Sequence, residues 1–124
     1  MAQLLLHLLG DYVTQTDWMA NNKTQKKWIA VLHAFIYTLP FVLLTQSIVA
    51  LFVIFATHAV IDHYRLATYL IYAKNWVTNR KLKWKDCLAT GYAKTTPIWL
   101  ATTLLIVMDN FLHLAINFLA IRYL

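Results

Sequence analysis

Four long runs of apolar residues follow one another along the chain, and short polar stretches separate them. Each run is close to the roughly 20 residues that an α-helix needs to cross the hydrocarbon core of a bilayer. The pattern therefore predicts an all-α, polytopic membrane protein that forms a single domain over residues 1–124. The four transmembrane helices are expected over residues 2–20, 28–44, 47–65 and 97–120.

The segment between the third and fourth helices is longer and more basic than the other connections. A helical repeat of apolar residues continues from residue 66 to about residue 76, which predicts an amphipathic extension of the third helix along the membrane surface. Basic and aromatic residues are mixed in the part that follows. We expect the basic side chains of this cytoplasmic loop to contact anionic lipid headgroups, namely Lys74, Arg80, Lys81, Lys83 and Lys85.

Composition and charge agree with a membrane location. The chain is 60% hydrophobic, with a mean hydropathy of +0.55 and a formal net charge of +6. Because the basic residues gather in two loops on one side, the positive-inside rule places these loops in the cytoplasm and both termini outside, in the inner membrane of a bacterium. Topology thus accounts for the positive charge, so the lipid bilayer is the expected partner and no nucleic acid is expected.

Polar residues recur four positions apart within three of the predicted helices. Residues with this spacing lie on the same helix face. Each of the three pairs joins a histidine to an aspartate: His7 with Asp11, His58 with Asp62, and Asp109 with His113. A charged group that faces lipid costs several kcal/mol, so we expect these faces to point into the helix bundle.

The predicted depths of these side chains in the membrane favour a metal site. The residues expected to converge are Asp11, His33, His58, Asp62 and Asp109. Imidazoles and carboxylates in a dry bundle suit a divalent cation such as zinc, manganese or iron. The residues expected to support these ligands or to replace one of them are His7, Gln15, Tyr37 and His113. An open position on the metal could lower the pKa of a bound water to about 7, which would suit hydrolysis of a lipid or a phosphate ester.

Two other interpretations of the polar residues stay open. Chains of aspartate and histidine also form ion or proton paths, as in a transporter or a phage-type pore. The same side chains could instead hold the helices together in a non-enzymatic accessory protein of the envelope, with a host membrane protein as its partner. A second copy of the chain could complete so polar a bundle, and a homo-oligomer is therefore a further expectation.

A segment of the first predicted helix also carries a family resemblance. Residues 7–18, HLLGDYVTQTDW, followed by Lys23, resemble the opening signature of DUF3307, a family of small bacterial and phage membrane proteins of unknown function. The later positions at which that family has polar residues are matched by His33, His58, Asp62, Asp109 and His113. The resemblance implies a role in the host envelope but no activity. A more distant similarity to inner-membrane metal-dependent hydrolases implies a hydrolytic site by analogy of arrangement.

Overall fold

The computed structural model describes all 124 residues, and its regular structure is helical apart from one isolated β-bridge. The six α-helices are α1 (Ala2–Leu8), α2 (Asp17–Asn22), α3 (Lys27–Thr38), α4 (Ile48–Tyr64), α5 (Leu66–Thr78) and α6 (Ile98–Tyr123). The chain divides into two compact units. The first unit contains Met1–Tyr64 and His113–Leu124, and the second contains Arg65–Leu112.

The prediction of one continuous helix over residues 2–20 is wrong. Helix α1 ends at Leu8 and passes into a π-helical segment, Leu9–Val13, and α2 begins only at Asp17. Side chains capture the backbone carbonyls at this break: Thr14 Oγ1 donates to the Gly10 carbonyl at 3.0 Å, and Gln15 Nε2 donates to the Asp11 carbonyl at 3.2 Å. Such bonds compete with regular helical hydrogen bonds, so the apolar run does not continue as one helix.

Proline interrupts the second predicted helix. Helix α3 ends at Thr38 and continues as a 3-10 helix over Leu39–Leu43, with Pro40 in its first turn. Proline has no N–H to donate and its ring clashes with the preceding turn, which ends regular α-helical winding. The predicted helix over residues 28–44 therefore exists as two segments of different geometry.

The third predicted helix ends sharply before its extension. Helix α4 starts after Ser47, whose Oγ accepts a hydrogen bond from the Ala50 N–H at 3.2 Å, and it ends at Tyr64. Arg65 then adopts the left-handed conformation, with φ of +53°, and α5 begins at Leu66. The amphipathic segment between the third and fourth predicted helices is thus a separate helix and not a continuation.

The prediction of four transmembrane helices is also wrong. Only α6, with 26 residues, is long and apolar enough to cross a membrane by itself, and α4 with α5 passes the same test only as a pair broken at Arg65. Helix α1 has 7 residues. It therefore rises about 10 Å, against a hydrocarbon core of about 30 Å. The breaks over residues 9–16 and at Pro40 divide apolar runs that the sequence pattern predicts as single helices.

An aromatic and aliphatic core holds the first unit together. Its buried members are Tyr37, Phe41, Ala50, Ile54 and Ala120. Tyr37 packs so closely on the π-helical segment that a Cβ added at Gly10 would overlap its ring. Glycine is therefore required at this point for the backbone to approach the aromatic ring.

The second unit folds its irregular segment back onto α5. The rings of Tyr69 and Trp84 stack with centroids 5.2 Å apart, and the Tyr72 hydroxyl donates to the Leu82 carbonyl at 3.2 Å. Gly91, with φ of +85°, lies against the backbone of α5 at Thr68, where a Cβ would clash. The basic loop is therefore an ordered structure around aromatic residues.

Candidate metal centre

A cluster of buried polar side chains lies inside the first unit. Four segments supply it: the π-helical segment carries Asp11, α3 carries His33, α4 carries His58 and Asp62, and the last part of α6 carries His113. His33 and His58 are fully buried, and their Nε2 atoms lie 3.1 Å apart. Two facing imidazole nitrogens at this distance must share either a proton or a cation.

Two carboxylates flank this pair of histidines. Asp11 Oδ1 lies 3.2 Å from His33 Nε2 and 3.3 Å from His58 Nε2. Asp62 Oδ2 lies 3.3 Å from each of the same two nitrogen atoms. In a tetrahedral site with bonds of about 2.0 Å, neighbouring ligand atoms are about 3.3 Å apart. The separation of the two nitrogen atoms and the four nitrogen–oxygen separations therefore match those between neighbouring ligands of a metal ion.

Two groups of residues have the spacing of metal ligands. The first consists of Asp11, His33 and His58, and the second of His58, Asp62 and His113. Within each group the ligand atoms lie within 4.8 Å of one another. The cluster is thus positioned to bind a metal ion, and His58 belongs to both groups.

Asp11 is ionised in this environment. Burial raises the pKa of its carboxyl group, but hydrogen bonds from His33 and His58 outweigh burial and hold the pKa below its ordinary value. Its side chain is 12% exposed, more than any of the imidazoles around it. Asp11 therefore offers a charged oxygen at the most accessible point of the cluster.

The two central histidines make no hydrogen bond through Nδ1, and aromatic rings pack against His58. The Nδ1 atoms of His33 and His58 are buried and have no hydrogen-bond partner. The Tyr37 ring stacks on His58 with centroids 3.7 Å apart and planes at 21°, and the His113 ring lies 4.2 Å from His58. Metal-binding histidines usually donate their second N–H to a neighbouring group. For His58, stacking on Tyr37 takes the place of that support, and its Nε2 faces both carboxylates.

The expected supporting residues divide into two kinds. The Tyr37 hydroxyl lies 2.8 Å from His7 Nδ1 and accepts a hydrogen bond from Asn117 Nδ2 at 2.6 Å, and His7 Nδ1 is 3.4 Å from Asp11 Oδ2. His7 and Tyr37 therefore support the cluster directly. Gln15 donates to the backbone of Asp11 and not to its carboxylate, so it stabilises the π-helical segment that carries this residue.

Lys23 enters the cluster although it lies in the basic connection between the predicted helices 2–20 and 28–44. Its Nζ lies 2.7 Å from Asp62 Oδ2, and its side chain is 17% exposed. The His63 Nδ1–H donates to the Lys23 carbonyl at 3.0 Å, which fixes the backbone at this point. A lysine in a basic turn is explained by topology alone, so charge counting gives no signal for this contact. The one available signal is its place in the family signature.

The remaining predicted site residues lie in the second unit. Asp109 belongs to neither group with metal-ligand spacing. Arg80 places its guanidinium over the Trp76 ring at 3.9 Å from the centroid, and Lys74 Nζ lies 5.4 Å from the centroid of Tyr92. These two contacts order the basic loop internally. Contact of its lysines and arginine with a membrane surface stays a prediction.

Comparison with known proteins gives a family and no activity. No curated protein and no solved structure matches the chain. One family matches it over residues 1–123, and the description of that family states only that its function is unknown. The match covers nearly the entire chain, as the resemblance of residues 7–18 and of the later polar positions implied. The chain belongs to DUF3307, a protein family of unknown function.

Proposed function

We propose that the protein binds one divalent metal ion through Asp11, His33, His58 and Asp62. The supporting observation is a set of five near-equal distances of 3.1–3.3 Å. One joins the Nε2 atoms of His33 and His58, and the other four join each of these nitrogens to one oxygen of Asp11 and one of Asp62. Two imidazoles and two carboxylates suit zinc first, and manganese or iron next. The two negative charges of the carboxylates would balance the charge of the ion.

The reaction that we propose for this site is hydrolysis of a lipid or a phosphate ester. A divalent ion that keeps an open position beside these four ligands would supply Lewis acidity toward an ester oxygen. The chain's own residues would shield the ion from water, since His33, His58 and Asp62 are buried, and the partial exposure of Asp11 would leave the ion accessible on one side. His113, with Nε2 3.4 Å from Asp62 Oδ1, would orient the second carboxylate.

We also propose that the protein resides in a membrane, with α6 crossing it. The most apolar stretch of α6 is largely unburied, and large apolar side chains of the first unit are exposed, among them Leu43 and Ile48 at 82% each. A groove of about 320 Å³ beside them is lined mainly by apolar residues such as Phe35, Leu39 and Phe52. Exposed apolar surface of this kind favours contact with lipid chains. The cytoplasmic side of the basic segments stays a prediction.

Metal analysis of the detergent-purified protein tests the site. We expect about one equivalent of a transition metal in the wild type after growth in metal-replete medium. His58→Ala should lose most of it, because His58 Nε2 faces both carboxylates. His63→Ala is the matched control, since His63 lies on the same helix but outside both ligand groups, and it should retain the metal. A metal-free wild type would refute the proposal.

A proton path is the second candidate, and one observation favours it. Polar contacts run without a break from Asn117 through Tyr37, His7 and Asp11 to the central histidines, and from there through Asp62 to Lys23. Such chains of titratable groups can carry protons. If His58→Ala abolished a pH-driven flux in liposomes and the wild type held no metal, the path would replace the metal site as the function.

A further inference from the structure

The position of Lys23 changes the charge of the proposed metal site. Asp62 Oδ2 has two lone pairs, so it can accept a hydrogen bond from Lys23 and bind a cation at once. Metal-bound histidines are neutral, and one divalent ion balances the two carboxylates. The ammonium group of Lys23 then gives the largely buried cluster a net charge of about +1. A buried charge without a counter-ion is unfavourable, so the loaded site would attract a single negative charge.

The backbone holds Lys23 where it can serve such a ligand. Its N–H donates to the Met19 carbonyl at 2.9 Å at the end of α2, and its carbonyl accepts from His63. The other lysines of this turn, Lys26 and Lys27, are exposed. Only Lys23 among these three turns its ammonium group into the cluster, and its partial exposure leaves one side open for a ligand.

We propose that Lys23 binds the anionic group of the substrate, and that this group is a phosphate diester with one negative charge. The proposal rests on the metal site proposed above. A diester has two free phosphoryl oxygens, so one can face the metal and the other can accept from Lys23 Nζ. The monoanion neutralises the loaded cluster, whereas a phosphate monoester, with a charge near −2 at neutral pH, would leave an excess negative charge. Lysine suits this role as a compact point charge.

Two sources could supply a phosphate diester: a phospholipid headgroup and a small soluble diester. The apolar groove and the unburied α6 favour the lipid, and the charge argument is the same for both. Dimethyl phosphate and phosphatidylglycerol in mixed micelles represent the two sources as probes. Tighter binding of phosphatidylglycerol would identify the lipid source, tighter binding of dimethyl phosphate the soluble one, and either result supports a diester site.

The experiment compares three lysine variants loaded with zinc. Zinc content is measured first, and it should be equal in the wild type, Lys23→Met and Lys26→Met. Calorimetric titration with dimethyl phosphate should then show at least a tenfold loss of affinity in Lys23→Met and no change in Lys26→Met. Lys23→Arg keeps the positive charge and should retain most of the affinity for dimethyl phosphate. It is the control that distinguishes loss of the charge from misfolding caused by a substitution at this position.

The outcomes separate this inference from the metal site. A wild type that holds zinc but does not bind either diester overturns the role of Lys23 and leaves the metal site standing. Equal diester affinity in Lys23→Met and the wild type overturns it as well. The role of Lys23 is also overturned if methyl phosphate or acetate binds more tightly than dimethyl phosphate, because the preferred ligand would then differ from a diester in charge or shape. A wild type without zinc refutes both proposals.

Discussion

Gly10 and Tyr37 are in such close contact that no side chain fits between them: a Cβ at Gly10 would overlap the tyrosine ring. The same ring stacks on His58 at 3.7 Å, so the backbone next to Asp11 and the central histidine are positioned by one buried aromatic side chain. The fold of the first unit and the geometry of the cluster therefore depend on each other at this contact.

We predict that Gly10→Ala lowers both stability and metal affinity. The added methyl group must displace the Tyr37 ring or the π-helical segment, and overpacking of this kind costs about 1–3 kcal/mol. Thermal unfolding of the detergent-purified protein should show a midpoint lower by several degrees. Leu8→Ala, at a partly exposed neighbouring position, is the control and should shift the midpoint less. Equal midpoints in Gly10→Ala and the wild type would contradict the contact.

Tyr37→Phe separates the hydroxyl of this residue from its ring. The ring would still stack on His58, but the Asn117 amide and His7 would lose the hydroxyl contacts at 2.6 Å and 2.8 Å. Loss of a buried hydrogen-bond partner costs about 1–3 kcal/mol. We therefore expect a lower free energy of unfolding with unchanged metal content. Tyr123→Phe, at an exposed position, should change neither quantity.

Asp62→Asn should greatly weaken metal binding. The substitution keeps the shape of the side chain but removes one of the two negative charges, and Lys23 would then repel an incoming cation without compensation. The loss of affinity should exceed the roughly 10–100-fold that removal of an outer-shell partner costs. Zinc titration in a competition assay with a chelator measures it, and Asp86→Asn in the second unit is the control. Unchanged zinc affinity would remove Asp62 from the ligand set.

Asp109→Asn tests the one predicted ligand that stands apart from the two ligand groups. Because Asp109 belongs to neither group, we expect this variant to hold as much metal as the wild type. Elemental analysis measures the metal content of Asp109→Asn, of Asp62→Asn and of the wild type side by side. If the metal content of Asp109→Asn fell to that of Asp62→Asn, Asp109 would be a ligand, as the i, i+4 pairing with His113 predicts.

Much of the candidate site follows from sequence spacing. The separation of His58 and Asp62 by four residues predicts a shared helix face, and the predicted depths of the side chains in a membrane bring Asp11 and His33 toward them. The structure places these four residues together. Their convergence was predictable because charged side chains in so apolar a chain avoid the lipid-facing surface and pack against one another.

The continuity of the helices was not predictable in the same way. Apolar periodicity predicts which face of a helix is buried, but it does not predict where the helix ends. The helices are interrupted where the side chains of Thr14 and Gln15 donate hydrogen bonds to backbone carbonyls and where Arg65 adopts the left-handed conformation. The contact of Lys23 with Asp62 joins residues 39 positions apart in sequence, so only the fold brings them together. Helix count and the role of Lys23 therefore required the structure.

His58 limits the number of metal ions that the cluster can bind at one time. Both carboxylates approach it through the same atom, Nε2, and an imidazole nitrogen has a single lone pair to give to a cation. An ion that uses this lone pair together with Asp11, His33 and Asp62 denies it to a second ion beside His113. The two overlapping ligand groups therefore hold no more than one ion between them, because both depend on His58.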